Sequence, residues 1–444
     1  MTSKQRIRLA LALTTAGALS MALLTPGAAG ADTVRPECPR TLVDCDWVPA
    51  AYEQTGDPAD KDTYGNYDTA NRPDTNAIDF IVLHDTEEDF DSTLKIFQDP
   101  TNQTSAHYVV RSADGHVTQM VKNKDVAWQA GNWYLNSHSI GIEQEGVATE
   151  GATWYTPEMY RSTARLVRHL AAKYDIPLDR QHILGHDGVP PTSAEGTQNM
   201  HWDPGPYWDW NHFMALLGKP TEPSAPTSSE LVTVSADFTK NQQDFRDCEK
   251  DVDLPRQASS AVPLHTGPSS DAPLFSDPGL HPDGSPGTNC VADWGSKISA
   301  TQQAVIADRA PGWTAIWWYG DKAWFRTPAG TRVVSPTSGR VVRPKAGKEE
   351  VPVYGVAYPE KSEYPTDFDR PTVGSPLVYT IKAGQAFPGG GEAPNGYYYA
   401  PTIDASKPYD HTYFRGNETY VTVQIGHRIG FVKTSDVDVV RAGS

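Results

Sequence analysis

From residue 76 onward the polar texture of the chain gives way to short apolar runs at two spacings. Ile78-Asp79-Phe80-Ile81-Val82-Leu83 is a β-rich run and reads as a buried strand ending at His84. Ser92 to Phe97 reads as a short amphipathic helix. Ala106 to Val110 and Val117 to Val121 are two strands, joined by a turn with the hairpin signal Asp114-Gly115. Ser139-Ile140-Gly141-Ile142-Glu143 is another strand, whose glycine marks a close backbone approach. Thr156-Pro157-Glu158 starts a helix, with Thr as N-cap and Pro at the first helical position. Tyr160, Ala164, Val167, Leu170 or Ala171, and Tyr174 then share one face, and the helix stops before Ile176-Pro177. Ile183-Leu184 is a last short strand before Gly185-His186. Strands and helices thus interleave from about 76 to 218, which predicts an α/β or α+β domain, with α/β (a mixed sheet flanked by helices) as the leading reading.

The flanks read differently. Residues 1–31 carry Lys4, Arg6 and Arg8, then an apolar stretch from Leu9 to Leu24 and the small-residue site Ala29-Gly30-Ala31. That is the pattern of a cleaved secretory signal, and it predicts a secreted protein with no membrane anchor in its mature form. Residues 32–75 are polar and turn-rich and read as an arm wrapped over the domain. Residues 219–229 (KPTEPSAPTSS) are a Pro/Ser/Thr linker. Beyond it the chain reads as all-β. Thr314 to Phe325 and Val421 to Val432 echo each other, each an apolar strand, a turn with glycine, and a second strand holding a small-aromatic pair. With the strand starts Val262-Pro263-Leu264 and Val351-Pro352-Val353, this predicts two small β-barrels, 230–345 and 346–444.

Charge narrows the choice of partners. Loss of the three leader cations takes the formal charge from −17 to −20. Nucleic acid needs a cationic footprint, so it is not expected as a partner. Attachment to an anionic surface would have to run through aromatic and hydrogen-bonding groups, of which 12 Trp and 20 Tyr are a large supply. The four cysteines all follow the leader, and an oxidising compartment predicts two disulfides. Three connectivities are open; Cys38–Cys45 and Cys248–Cys290 are the local pairs.

The candidate chemistry centres on Ile183 to Trp210, ILGHDGVPPTSAEGTQNMHWDPGPYWDW. His186 and Asp203 stand there, and His84 closes the upstream strand. Two imidazoles and one carboxylate, with a fourth position open, are the donor set of a catalytic zinc. Glu143 is the candidate general base, with Glu145, two residues on, as the alternative. His201, two residues before Asp203, is placed to donate to an oxyanion.

Residues 76 to 218 resemble the zinc-dependent N-acetylmuramoyl-L-alanine amidases related to peptidoglycan-recognition proteins and phage lysozyme-type amidases. The matching pieces are IVLHDT (81–86), SAHYVV (105–110), AWQAG (127–131), SIGIEQEG (139–146), ILGHD (183–187) and HWDPGPYWDW (201–210). The resemblance implies zinc held by His84, His186 and Asp203, with Glu143 as the acid/base glutamate and peptidoglycan as the partner. It puts His201 where many relatives carry a lysine, and Gln129 and Asp85 where many carry a histidine. The interval from His186 to Asp203 is long, so Thr192 to Met200 is expected to form an extra loop at the cleft. The all-β half resembles bacterial SH3-like wall-binding repeats. Two readings stay open at this level: a peptidoglycan hydrolase, with Trp128, Trp133 and Trp202 lining its groove, and a non-catalytic peptidoglycan-binding or structural wall protein.

Overall fold

The computed structural model describes residues 35–39, 44–58 and 60–443. The leader 1–31 therefore lies outside the described residues. Among the described residues no helix is long and apolar enough to cross a membrane.

The interleaved segment forms one mixed sheet. Its strands are β1 (Cys45–Trp47), β2 (Phe80–Asp85), β3 (Tyr108–Val110), β4 (Val117–Gln119), β5 (Ser139–Gln144) and β6 (Ile183–Gly185), in spatial order β1-β4-β3-β5-β2-β6. All neighbours are parallel except the β3–β4 hairpin. Strand β1 comes from the N-terminal arm, read from sequence only as a wrapping, and it adds a parallel edge to β4. Disulfide Cys38–Cys45 ties the start of that strand.

Alternation along β2 and β5 sends the two faces to different partners. Ile81, Leu83, Ile140 and Ile142 pack with Met159, Leu166, Val167 and Leu170 of the long helix over Pro157–Tyr174. That helix starts as expected, Thr156 Oγ1 accepting the amide of Met159, and ends at Asp175, which adopts a left-handed φ of 58°. Each fully buried aliphatic side chain in this layer contributes about 1.5–3 kcal/mol. The opposite face carries Phe80, Val82 and His84 from β2, and Ser139, Gly141 and Glu143 from β5. His84 and Glu143 are register partners. Parallel pairing keeps them on one side, so the sheet itself sets the base candidate beside the ligand candidate.

The chain beyond 230 is mostly β, in two larger sheets and smaller hairpins. The first holds β7 (Leu231–Val234) with three later strands, β10 (Gln303–Ala310), β11 (Trp313–Trp318) and β12 (Asp321–Arg326), and with β13 (Val334–Pro336). Between β7 and β10 lies a small hairpin, β8 (Arg246–Asp247) and β9 (Val252–Asp253). The second sheet has seven strands: β14 (Gly339–Pro344), β15 (Glu350–Tyr354), β16 (Pro376–Lys382), β17 (Phe387–Ala393), β18 (Tyr420–Ile425), β19 (Arg428–Lys433) and β20 (Val437–Ala442).

The two echoing segments are hairpins with two-residue turns, β11–β12 around Tyr319-Gly320 and β18–β19 around Gly426-His427. The turns meet, the Tyr319 hydroxyl lying 2.7 Å from His427 Nδ1. A Cβ on Gly426 would sit 2.0 Å from the Tyr319 ring, and its φ is +61°, so glycine is required there.

A division at 345/346 into two barrels does not match the pairing. Strand β14, assigned from sequence to the first, pairs with β17 and β20 of the second sheet. One buried cluster also joins both sheets, from Val232, Ile316 and Trp318 to Val342, Val353 and Val423. Nor does 219–229 separate independent bodies, since residues 36–444 form one compact unit. Phe80, Val82, Leu184 and Tyr134 of the α/β part are buried against Val356, Tyr358, Ile429 and Phe431. Apolar groups on the second face of β2 and β6 needed a cover, and the second sheet completes one begun by Tyr134 and Leu135.

Candidate metal centre and its cleft

His84 projects from β2, and His186 follows β6 as the first residue of a 3-10 turn, His186–Gly188. Asp203 lies in the Gly/Pro loop after the inserted segment. The three donor atoms lie within 4.8 Å of one another. His84 Nδ1 is 3.1 Å from His186 Nδ1 and 3.4 Å from Asp203 Oδ2, and His186 Nδ1 is 3.2 Å from Asp203 Oδ1. All three side chains are buried, with relative exposures of 3%, 4% and 7%.

The supports of this triad are specific. His84 Nε2–H donates to Gln129 Oε1, which leaves Nδ1 facing the cluster. Gln129 Nε2 donates in turn to Ser139 Oγ at 2.8 Å. Gln129 reaches that place because position 141 is glycine; a Cβ there would lie 2.8 Å from Gln129 Cγ. The sequence predicts a close backbone approach at Gly141; the structure shows instead the Gln129 side chain, which orients His84. Asp203 Oδ2 accepts the backbone amide of Asp85 at 3.2 Å, and the Asp203 carbonyl accepts the amide of Asp187 at 3.0 Å.

Electrostatics agree with a cation site. Burial by itself would raise the Asp203 carboxyl, but His186 and His84 hold it well below the usual carboxylate range. Burial pushes His186 down, as a neutral ligand requires. At His84 burial also acts downward, yet Glu143 and Asp203 outweigh it and raise the imidazole. Glu143 is pushed up to about 7 by burial, with His84 opposing and Asp203 adding. Its Oε2 is buried with no hydrogen-bond partner in the protein. A buried unpartnered acceptor beside two imidazoles and a carboxylate calls for an external proton or cation.

Glu145, the alternative base, is engaged elsewhere: Oε1 accepts from the amide of Phe90 at 3.1 Å and Oε2 from Ser112 at 2.7 Å. His201 stands at the mouth, its side chain 73% exposed and its Nδ1 3.8 Å from Asp203 Oδ1. Asp85 lines the cleft, and burial, Glu87 and Asp203 push it up to about 9. Its Oδ2 lies 3.0 Å from the Tyr155 hydroxyl, which donates to the Pro204 carbonyl at 2.7 Å. Asp85 thus anchors the loop that carries Asp203.

The cleft over the triad has a volume of about 590 Å³. The segment 192–200 does border it, through Gln198, Asn199 and Met200, and the stretch Glu195–Asn199 is a 3-10 turn. Of the three tryptophans expected along a groove, Trp202 lines the cleft. Trp128 lines an adjoining hollow with Gln129, His186 and His201, while its indole N–H donates to Asp68 at 2.7 Å. Trp133 does not reach it: its indole donates to the Tyr398 carbonyl and its ring lies under Lys61.

Sequence reasoning missed the contribution of the β half. Trp294 Nε1 donates to the Trp202 carbonyl at 3.1 Å, and Ser260 Oγ donates to that of Trp208 at 2.6 Å. Asp247, Cys248, Glu249, Lys250, Val291 and Ala292 form part of the cleft wall. The expected bridge Cys248–Cys290 forms and pins this wall. No local signal marks such contacts, because they depend on long-range packing.

A mixed α/β sheet bears a buried two-histidine, one-carboxylate cluster that could hold a metal ion, beside a glutamate oxygen with no partner in the protein. Sequence comparisons give the family. A family profile described as N-acetylmuramoyl-L-alanine amidase matches residues 74–206. N-acetylmuramoyl-L-alanine amidase A of Achromobacter lyticus is 31% identical over 169 residues, covering 34% of this chain and 88% of that protein. The 1,6-anhydro-N-acetylmuramyl-L-alanine amidase AmpD of Salmonella typhimurium is 36% identical over 121 residues, covering 26% of this chain and 58% of that protein. Among solved structures, a complex of Escherichia coli AmiD with anhydro-N-acetylmuramic acid-L-Ala-D-gamma-Glu-L-Lys is similar at 28% identity. It covers 33% of this chain and 60% of that one, with a TM-score of 0.27. The chain belongs to the N-acetylmuramoyl-L-alanine amidase family.

Proposed function

We propose that the protein is a secreted, zinc-dependent peptidoglycan hydrolase cutting the amide between N-acetylmuramic acid and L-alanine. The observation that carries this reading is the convergence of His84, His186 and Asp203 donor atoms within 4.8 Å, beside Glu143 with its unpartnered Oε2. The donor set suits zinc: two neutral imidazoles, one carboxylate, and open space on the cleft side. Zinc held by His84, His186 and Asp203 would supply Lewis-acid chemistry at the cleft. Glu143 takes the proton of the attacking water and returns it to the leaving amine, a role that its raised basicity favours. His201, at the mouth, donates to the developing oxyanion. Gln129 holds His84 with Nδ1 toward the cluster.

Secretion rests on the leader pattern, and two disulfides fit an oxidising compartment. The β half, packed on the catalytic part, is read as a wall-binding region, its two echoing hairpins β11–β12 and β18–β19 sharing one core rather than forming separate barrels. The deciding experiment is mass spectrometry of purified wall digested by the zinc-loaded chain. Free stem peptides beginning with L-alanine, together with glycan bearing free lactyl carboxyls, are expected. Cleavage only within the peptide or the glycan, or no cleavage at all, would sink the reading. The non-catalytic alternative predicts binding to wall without such products.

A further inference from the structure

Part of the cleft wall comes from outside the matched family region 74–206, namely the small hairpin β8–β9 and residues 291 and 292. This wall is rigidly built although its tip is exposed. Arg246 pairs with Asp253 and Asp247 with Val252 across the hairpin. The Arg246 carbonyl accepts the amide of Val291 at 2.8 Å, and its own amide donates to the Asn289 carbonyl at 3.1 Å. Disulfide Cys248–Cys290 closes the same junction. Asp247 Oδ1 accepts the amides of Glu249 at 3.1 Å and Lys250 at 3.0 Å, which sets the turn.

The charge lining this cleft is one-sided. Glu87, Asp203, Asp247 and Glu249 line it, and Lys250 is the one lysine or arginine among the described lining residues. Its ammonium is only loosely paired, 3.5 Å from Asp247 Oδ2, and its side chain is 68% exposed. A ligand carrying carboxylates meets repulsion along such a wall except where this cation stands.

We propose that the stapled hairpin is a peptide subsite in which Lys250 receives a carboxylate of the stem peptide, making Lys250 specificity-determining. The inference rests on the amidase reading above, since the carboxylate belongs to the peptide on the leaving side of the bond. An ammonium on a flexible stem acts as a point charge rather than a fork, so charge matters here more than bond geometry. The hairpin backbone fixes where the stem begins, which restricts the subsite to one region of the cleft.

The test uses the full zinc-loaded chain carrying Glu143→Gln, so that binding is read with turnover strongly slowed. Dissociation constants are measured for two soluble muropeptides that differ only in free or amidated stem carboxylates, with and without Lys250→Ala. About a tenfold loss for the free-carboxylate ligand is expected, with a change under twofold for the amidated one. Lys250→Arg should restore most of the loss, and raised ionic strength should shrink the difference. Equal weakening of both ligands, or of neither, overturns the subsite. Hydrolysis of the same muropeptides by the unmutated chain is scored separately. If that fails while the binding difference holds, the catalytic reading falls and the subsite stands.

Discussion

Glu143, Gln129 and His201 stand in three different relations to the candidate centre. Glu143 stands in register with His84 and keeps a buried oxygen unpartnered. Replacing it by Gln keeps shape and removes the proton acceptor. Turnover is expected to fall by about 10²–10⁴ with zinc content unchanged, measured by metal analysis beside a muropeptide assay. Gln129 touches no reacting group, but it decides which nitrogen of His84 faces the cluster. Gln129→Ala, and likewise Gly141→Ala by displacing Gln129, should cost about 10–100-fold in zinc affinity, read by competition with a chelator. His201 is exposed, so a hydrogen bond it donated to an oxyanion would compete with water. A loss of about tenfold in kcat is expected for His201→Ala, less than for a buried oxyanion donor. The ligand candidates and the base candidate were legible in the motifs because their residue types are rare together. Gln129 was not, since glutamine at 129 gains a role only from the close approach that Gly141 allows.

At the scale of elements, the start of β2 carries an electrostatic cost. Asp79 precedes the strand, and burial pushes its carboxyl up to about 6, with His182 opposing. Its Oδ2 is buried without a partner. A raised carboxyl destabilises where the unfolded chain is ionised and the folded one resists ionisation. The cost is absent below about 3.8 and complete above about 6. Asp79→Asn should therefore stabilise by about 1–3 kcal/mol at pH 8 and by almost nothing at pH 3.5, measured by urea unfolding at both pH values. The β8–β9 hairpin is held differently, by a disulfide that spans 42 positions. Replacing both Cys248 and Cys290 by Ser should lower stability by up to about 4 kcal/mol, seen as a drop in Tm. The periodic elements were readable: the capped helix, the hairpin at Asp114-Gly115 and strands β2 and β5 fall where their patterns put them. Strand β1 was not, because a three-residue edge strand within a polar arm leaves no period to detect.

Across the whole molecule, the sheet is buried on both faces, one covered by the long helix and the other by the short helix Trp133–His138 together with the β half. Phe80, Val82, Leu184 and Tyr134 lie against Tyr358, Ile429 and Phe431 of the β half. A fragment ending at Gly218 uncovers this face, and it should aggregate or unfold at markedly lower temperature than residues 36–444, by size-exclusion chromatography and thermal melting. A freely tethered domain would instead survive the cut. The all-β character of the distal half was plain from its alternating strands and its turns. Its division was not: β14 joins the second sheet and the two sheets share one core. Sequence by itself determined what is local, namely the period of each element, its caps and turns, and the small set of residue types able to hold a metal. Tertiary structure decided which of those residues meet and what stands behind them. It also decided that a distant hairpin walls the cleft, because contacts between segments far apart in the chain are set by packing and register, which no single window of sequence encodes.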